Sequence, residues 1–247
     1  MERAMTAAQV RAMLDDERFG VPPVPADATA GTLPWIRAKI GRFCDGPTHL
    51  RRRAIAERLL AALEPERLRS RAAERTRALR RSMSEEQVLD AVPVLVLGEG
   101  LGMLDGGVDE PALVRATLRL GACYQPHVPQ APDADADVAL LLETSGGDDE
   151  EAATRVSLLL QACPATANLV RHARRAGRSV TETLRVDTPV RATWRIAPEG
   201  GRIELDLAAP PAGDEPLLAF GSGRHACPGH AQAVAIASGI LAALPPD

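Results

Sequence analysis

The feature that most constrains this chain is a glycine-rich segment that carries one cysteine and leads into an apolar helix. Residues 220–229 are Phe-Gly-Ser-Gly-Arg-His-Ala-Cys-Pro-Gly, and residues 230–244 are mostly apolar. A helix N-terminus offers unpaired N–H groups and partial positive charge, and Pro228 suits the first turn. The N–H groups and the partial positive charge both favour a thiolate, so we expect a lowered pKa for the Cys227 thiol.

The other positions of this segment indicate what the thiolate faces. A residue without a Cβ lets the backbone approach a bulky partner closely, and the segment has three, Gly221, Gly223 and Gly229. His225 can donate a hydrogen bond to an anionic group on the same partner. The alternative is a buried structural cysteine in an ordinary glycine loop. However, the pattern F-G-x-G-x-H-x-C-x-G has a chance probability on the order of 10⁻⁶ in a chain of this length, which favours a binding loop.

The composition leaves room for a large bound group and excludes several classes of protein. Only six of the 247 residues are aromatic, so Ala, Leu and Val must fill the core unless a large flat group does so. The net charge of −4 argues against electrostatic binding of nucleic acid. No apolar run reaches the roughly 18 residues of a membrane span, and the first residues do not resemble a signal peptide. The four cysteines have no paired spacing, which favours a reducing, cytoplasmic location over a disulfide framework.

Hydrophobic periodicity and helix-capping signals predict a mainly α-helical chain with a small β component. We expect a single domain over residues 1–247, with an irregular N-terminal arm and a short helix in 1–47 and a helical core in 48–244. The predicted helices cover 5–18, 48–63, 65–81, 84–97, 109–123, 149–175 with an interruption at Pro164, 179–187 and 230–244. The predicted strands cover 190–196 and 203–207, and residues 125–137 are predicted to form a loop.

Residues 220–229 resemble the haem-binding loop of bacterial cytochromes P450, in which a cysteine thiolate is the proximal iron ligand. The resemblance implies haem b as the cofactor and makes residues 48–244 a haem-binding core. It implies that Cys227 ligates iron, that Phe220 shields the sulfur, and that His225 binds a haem propionate. It also implies a propionate contact for Arg195, which the pattern places on a strand.

Two further motifs follow in the order of the same family. His49 and Arg53 form H-x-x-x-R, whose i,i+4 spacing aims both side chains at one place, and this resembles the second propionate clamp of the family. Arginine suits that role because its fork can bind a carboxylate bidentately. Glu182-Thr-Leu-Arg185 matches the E-x-x-R of the family, where it is a buried structural pair. The alternative for Glu182 and Arg185 is a surface ion pair.

The long helix around Thr166 resembles the oxygen-activating helix of the family. The resemblance aligns Thr166 with the catalytic threonine that hydrogen-bonds iron-bound oxygen there. The acidic residue that usually precedes this threonine is replaced by Ala165, which removes an obvious proton source. The alternative is a kinked core helix with no catalytic hydroxyl. We expect Thr193 or Trp194 on the substrate side.

The chain is unusually short for this family, so the resemblance implies a reduced cytochrome P450-like helical fold around a haem. The N-terminal helix and sheet region and much of the stretch between Thr166 and Glu182 are expected to be absent. The losses would expose apolar surface, so we expect a homodimer or a protein partner.

The implied function is that of a haem-thiolate oxidoreductase, a monooxygenase or peroxygenase that oxidises a small organic substrate in natural-product biosynthesis. A ferredoxin or a reductase is the expected redox partner, and peroxide-driven or non-oxygenating haem chemistry is the variant that Ala165 favours. We expect neither nucleic acid nor a membrane as a partner. The alternatives are a non-catalytic haem- or ligand-binding protein or scaffold, and a degenerate chain without haem.

Overall fold

The computed structural model describes residues 5–213 and 215–245, and that part of the chain contains ten α-helices and one two-stranded sheet. The helices are α1 (Ala7–Asp15), α2 (Leu33–Lys39), α3 (Gly46–Ala61), α4 (Pro65–Leu79), α5 (Glu85–Gly100), α6 (Glu110–Ala122), α7 (Ala134–Thr144), α8 (Glu150–Ala176), α9 (Val180–Val186) and α10 (His230–Ala243). The strands are β1 (Ala192–Ile196) and β2 (Arg202–Asp206), and 3₁₀ turns occupy Gly41–Phe43 and Gly223–His225. The predicted fold class, mainly helical with a small sheet, is confirmed.

The long helix α8 lies at the centre of the structure. Its N-cap, Asp149, accepts a hydrogen bond from the N–H of Ala152, and Gly177 ends it in the left-handed conformation with φ 60°. The helices that pack against it are α2, α3, α5, α6, α7, α9 and α10. Its buried apolar face contributes Val156, Leu159, Leu160 and Val170 to the main core. This central helix therefore forms a long wall against which a site can be built.

Helix α8 passes Pro164 without a break, so the predicted interruption is wrong. The proline ring packs against α6 at Gly121, where a Cβ would lie 2.9 Å from Pro164 Cγ. Proline removes one backbone donor and crowds the preceding turn. Here α6 leaves space for the proline ring because residue 121 has no side chain. Packing against the neighbouring helices keeps α8 continuous.

Helix α10 follows the cysteine segment and packs closely against α4 and α8. At Gly239 a Cβ would lie 3.0 Å from the Cβ of Ala72 and closer still to the carbonyl oxygen of Arg69. The two helices can approach this closely only because residue 239 is glycine. The contact fixes the position of α10 and therefore of the segment that precedes it.

The two strands pair antiparallel, with Trp194 opposite Glu204. Gly20 extends the sheet by an isolated bridge to Ile196, with N–H to carbonyl distances of 3.1 and 2.8 Å. The Arg202 guanidinium lies 3.8 Å from the centre of the Trp194 ring. A small second core formed by α1, β2 and Leu218 supports this region.

Two helices lie where the sequence predicted irregular structure. The N-terminal arm contains α2, because Thr32 caps the helix and Pro34 occupies its first turn, where proline is tolerated. The predicted loop 125–137 overlaps the start of α7, whose Val138, Leu141 and Leu142 are buried. The Pro, Ala and Asp residues around the start of α7 are typical of loops, and for this reason the short amphipathic pattern is not recognised as a helix from the sequence alone. Among the described residues, no helix is long and apolar enough to cross a membrane.

Candidate functional site

A cavity of about 470 Å³ lies between α3, α8, β1 and the cysteine segment. Its volume is within the range of small-molecule and cofactor sites. Nine of the ten site residues that the sequence predicted line it: His49, Arg53, Thr166, Arg195, Phe220, Gly221, His225, Cys227 and Gly229. The tenth, Gly223, lies elsewhere. Residues far apart in the sequence therefore converge on one cavity.

The cysteine segment forms a tight hydrogen-bonded loop. The N–H of Gly221 donates to the carbonyl of Leu218 at 2.7 Å, and the N–H of Cys227 donates to the carbonyl of Phe220 at 2.8 Å. Gly221 has φ 73°, a left-handed conformation that glycine adopts without strain. The Phe220 ring packs against His230, with 5.4 Å between ring centroids. The loop thus holds Cys227 at the cavity wall ahead of α10.

The prediction of a lowered pKa for Cys227 is wrong for the protein alone. The side chain is accessible from the cavity, yet the surrounding protein desolvates it, and this burial raises the pKa of the thiol. The Gly229 N–H and the charges of Arg53 and Arg42 lower the pKa by less. Helix α10 begins only at His230, and the influence of a helix terminus falls off within a turn. A bound metal would supply the missing stabilisation, because a coordinating thiol is deprotonated outright.

Gly223 contacts α1 and not the cavity, contrary to the prediction that it approaches a bound group. A Cβ at this position would lie 2.6 Å from the carbonyl oxygen of Leu14, and its φ is 66°. Beside it, the hydroxyl of Ser222 donates to Asp15 at 2.6 Å. Glycine is needed here because the loop lies directly on the end of α1.

Two histidines from different elements stack beside the cavity. The ring centroids of His49, on α3, and His225, in the loop, are 4.1 Å apart. Burial, together with the charge of Arg53, lowers the pKa of His49. Burial also lowers the pKa of His225 to about 4, even though a nearby carboxylate opposes the shift. Both imidazoles are therefore neutral near pH 7 and offer neutral hydrogen-bonding nitrogens to the cavity.

Asp45 is a functional candidate that the sequence did not reveal. Its Oδ1 lies 2.9 Å from His225 Nε2 and accepts a hydrogen bond from Arg224 Nε at 2.9 Å, while Oδ2 accepts from the N–H of Val21. Burial raises the pKa of Asp45, but these hydrogen bonds together lower it by more than burial raises it. The net shift of the pKa is therefore downward. Asp45 thereby ties the cysteine loop to the start of α3. The only local signal was an acidic residue directly before Gly46 and Pro47.

Arg195 is a buried cation without an acidic partner in the described part of the chain. It is 5% exposed on β1, and within the described residues its guanidinium bonds Thr193 Oγ1 at 3.3 Å and the carbonyl of Trp194 at 2.9 Å. Burial, with the charges of Arg42 and Arg224, lowers its pKa to about 10. A buried charge without a counter-charge is strongly unfavourable, so this position fits an anionic ligand. Thr193 lines the cavity beside it.

Arg53, unlike Arg195, has an acidic partner among the described residues. Its Nε donates to Glu57 at 2.7 Å, and its Nη1 donates to the carbonyl of Ala226, the residue before Cys227. Arg53 therefore braces the loop as well as facing the cavity. No Asp or Glu lines the cavity among residues 5–213 and 215–245. The cavity wall is thus cationic. Its chemistry suits a ligand whose carboxylates pair with the arginines and whose metal binds the cysteine sulfur.

Helix α8 brings Thr166 and Ala165 to the cavity. Thr166 is buried, with 3% of its surface exposed. Nearer the N-terminus of α8, the Gln161 amide donates to Ser157 Oγ at 2.7 Å, and that hydroxyl lies 3.0 Å from the hydroxyl of Tyr124. Burial raises the pKa of Tyr124 to about 12, so its hydroxyl keeps its proton. Only the i,i+4 spacing of Ser157 and Gln161 hinted at this polar chain.

The expected buried E-x-x-R pair is absent from the described structure. Glu182 and Arg185 are both exposed and form no ion pair with each other. Glu182 instead completes a capping box, in which its carboxylate accepts from the N–H of Ser179 at 2.9 Å. Of the two residues expected on the substrate side, Thr193 or Trp194, it is Thr193 that lines the cavity, while the Trp194 ring packs against Arg202.

Solved cytochromes P450 share this architecture. P450BioI, in complex with hexadec-9Z-enoic acid ligated acyl carrier protein, matches with a TM-score of 0.70 and 17% identity over 96% of this chain and 83% of that chain. CYP154C4 from Streptomyces sp. W2061 matches with a TM-score of 0.67 and 21% identity over 96% and 79%. The thermophilic cytochrome P450 from Sulfolobus tokodaii matches with a TM-score of 0.63 and 19% identity over 96% and 84%.

The chain therefore has a cytochrome P450-like fold, in a short form of 247 residues. The predicted fold resemblance is confirmed. The sequence itself matches no protein-family model and no curated protein.

Proposed function

We propose that this chain is a haem-thiolate protein in which Cys227 would supply the sulfur ligand to the iron of haem b held in the cavity. The observation that carries the proposal is the convergence of an accessible thiol and an unneutralised buried Arg195 on one cavity. The thiol suits a metal, and the arginine suits a carboxylate. When bound, haem supplies a redox-active iron that a thiolate ligand biases towards cleavage of an O–O bond.

Different cavity residues would contact different parts of the haem. Arg195 would bind one propionate, and His49 and Arg53 would bind carboxylate oxygens from the facing side. His225 would add a hydrogen bond there in its protonated form, because its Nε2 lies on Asp45 and a neutral imidazole has a single N–H. Phe220 would shield the sulfur from water. Gly221 and Gly229 would let the loop backbone lie close to the cofactor because they have no side chain.

We further propose an oxidoreductase that oxidises a small organic substrate, as a monooxygenase or peroxygenase. The buried hydroxyl of Thr166 would hydrogen-bond a ligand on the α8 side and, with water, move protons there. Because no carboxylic acid lines the described cavity wall, proton supply is limited. Peroxide already carries the protons that dioxygen would need, so this arrangement favours peroxide-driven or non-oxygenating chemistry.

The biological setting is also a proposal. A structural neighbour at 16% identity and a TM-score of 0.66, CxnD, is named for C–S bond formation in chuangxinmycin biosynthesis, which supports a natural-product setting. Four free cysteines suit the cytoplasm. A ferredoxin or reductase would be needed only if dioxygen is the oxidant. The exposed Val186 and Val190 are candidates for a homodimer or partner surface.

Titration of the purified protein with haem tests this proposal. We expect one haem per chain and a ferric absorption spectrum of the thiolate type. Turnover with peroxide should then fall about tenfold or more in Thr166→Val, which removes the hydroxyl and keeps the shape. Thr154→Val is the matched control, because Thr154 also lines the cavity but its hydroxyl is used by the carbonyl of Glu150. Failure to bind haem at all would refute the proposal.

The alternative is a non-catalytic haem- or ligand-binding protein or scaffold. The absence of an acid from the described cavity wall and the exposed positions of Glu182 and Arg185 favour it. Full haem loading without oxidation by peroxide, or by dioxygen with a reductase, would decide for this alternative.

A further inference from the structure

The cavity wall carries more positive charge than the expected set of haem contacts explains. Four arginines line it: Arg42, Arg52, Arg53 and Arg195. Two of them have acidic partners, because Arg52 Nε lies 3.1 Å from Glu150 and Arg53 Nε lies 2.7 Å from Glu57. In the described part of the chain, Arg42 and Arg195 have none. The wall therefore presents two unmatched guanidinium charges, and only one of them belongs to a position that the family resemblance indicated.

Arg42 sits in the 3₁₀ turn that precedes α3. Its guanidinium lies 5.8 Å from the centre of the Phe43 ring, and that ring packs against Tyr124. Its Nε is buried and has no hydrogen-bond partner. A buried donor without a partner costs free energy, so a residue that keeps one is expected to use it for a ligand.

Arg42 and Arg195 face the same space. Apart from burial, the leading influence that lowers the pKa of Arg195 is the charge of Arg42. Two like charges that act on each other are costly, and an anion between them removes that cost.

The charge of ferric haem-thiolate matches this pair. The thiolate and the porphyrin dianion together neutralise ferric iron, so the two propionates carry the net charge of −2. We propose that Arg42 binds the second propionate, beside the one bound by Arg195, an inference that rests on the proposed haem site. Once both arginines are matched, no unneutralised arginine remains on the described wall for a substrate, which makes an uncharged organic molecule the preferred substrate class.

The test compares haem with its iron protoporphyrin dimethyl ester, which lacks the carboxylate charges. We expect Arg42→Gln to bind haem about 10- to 100-fold more weakly than the wild type, measured by absorption titration. Its affinity for the dimethyl ester should change by less than about twofold. Arg52→Gln is the matched control, an arginine of the same wall that Glu150 already neutralises. It should change neither affinity by more than about twofold.

The outcomes separate the claims. A loss confined to the free acid supports the proposal. An equal loss with acid and ester, or no loss with either, overturns it while leaving haem binding intact. A wild type that takes up no haem overturns the proposed function as well. Thermal unfolding of the apoprotein is the second readout: Arg42→Gln should unfold at the wild-type temperature or above, because it removes an uncompensated charge, and a misfolded variant would overturn the proposal.

Discussion

Replacing Gly239 by alanine should destabilise the protein, although the same change in most helices is stabilising. In an open helix interior, Gly→Ala gains about 1 kcal/mol, because alanine loses less conformational freedom on folding. At Gly239 the new Cβ would lie 3.0 Å from Ala72 Cβ and closer to the carbonyl oxygen of Arg69. Backbone atoms of a packed helix cannot move aside as a flexible side chain would.

The magnitude follows from these two opposing effects. Overpacking against a rigid neighbour costs about 3 kcal/mol at the upper end of its usual range. Subtracting the gain of about 1 kcal/mol leaves a net loss of about 2 kcal/mol. For a chain of this size the corresponding fall in melting temperature is about 4–8 °C.

Urea and thermal unfolding of the apoprotein measure this effect, and Gly98 provides the control. Gly98 is also buried in a helix, α5, but a Cβ there would meet Leu113 Cδ2 at an ordinary 3.5 Å. Gly98→Ala should therefore stabilise the protein by about 0.5–1 kcal/mol. The reasoning is refuted if the two substitutions shift stability in the same direction.

Two further substitutions test how the cysteine loop is held. Asp45→Asn removes the charge that binds His225 and should destabilise the protein by about 1 kcal/mol in urea unfolding. Because the folded-state pKa of Asp45 lies below its unfolded value, its contribution is present above about pH 4 and is lost as the pH falls through the folded pKa. The variant should consequently show a shallower acid-induced loss of stability, and an unchanged acid profile would count against this role. Gly223→Ala should cost about 2–4 kcal/mol, since a left-handed backbone and a clash with Leu14 combine. Gly221→Ala, left-handed but with no atom nearer than 3.8 Å, should cost only about 1–2 kcal/mol, and equal losses would exclude the contact with α1 as the cause.

The sequence predicted the helices whose signals are local. Ser84 and Gln87 form the expected capping box, and the pattern around 48–63 gives α3 within two residues at each end. It failed at Pro164, because the space for that ring comes from Gly121 on another helix. It also failed at Glu182, where Ser179 and Glu182 use a capping-box pattern that local reasoning could have recognised.

The candidate site was predictable where a motif carries the residue and hidden where a long-range contact does. Cys227 and His225 share one short motif, and their position at the cavity follows from the loop that precedes α10. Asp45 reaches His225 across 180 positions of sequence. Arg42 carries no motif at all, and its interest arises from the absence of an acidic neighbour in the described structure, which no local pattern reveals.

The most direct test of the central claim is the absorption spectrum of the reduced protein with carbon monoxide. Ligation by a cysteine thiolate predicts a strongly red-shifted Soret band in the wild type. The band should persist in Cys163→Ser, because Cys163 lines the same cavity but is not placed on the loop, and it should disappear in Cys227→Ser. A wild type without haem, or a red-shifted band that survives the loss of Cys227, would contradict the account.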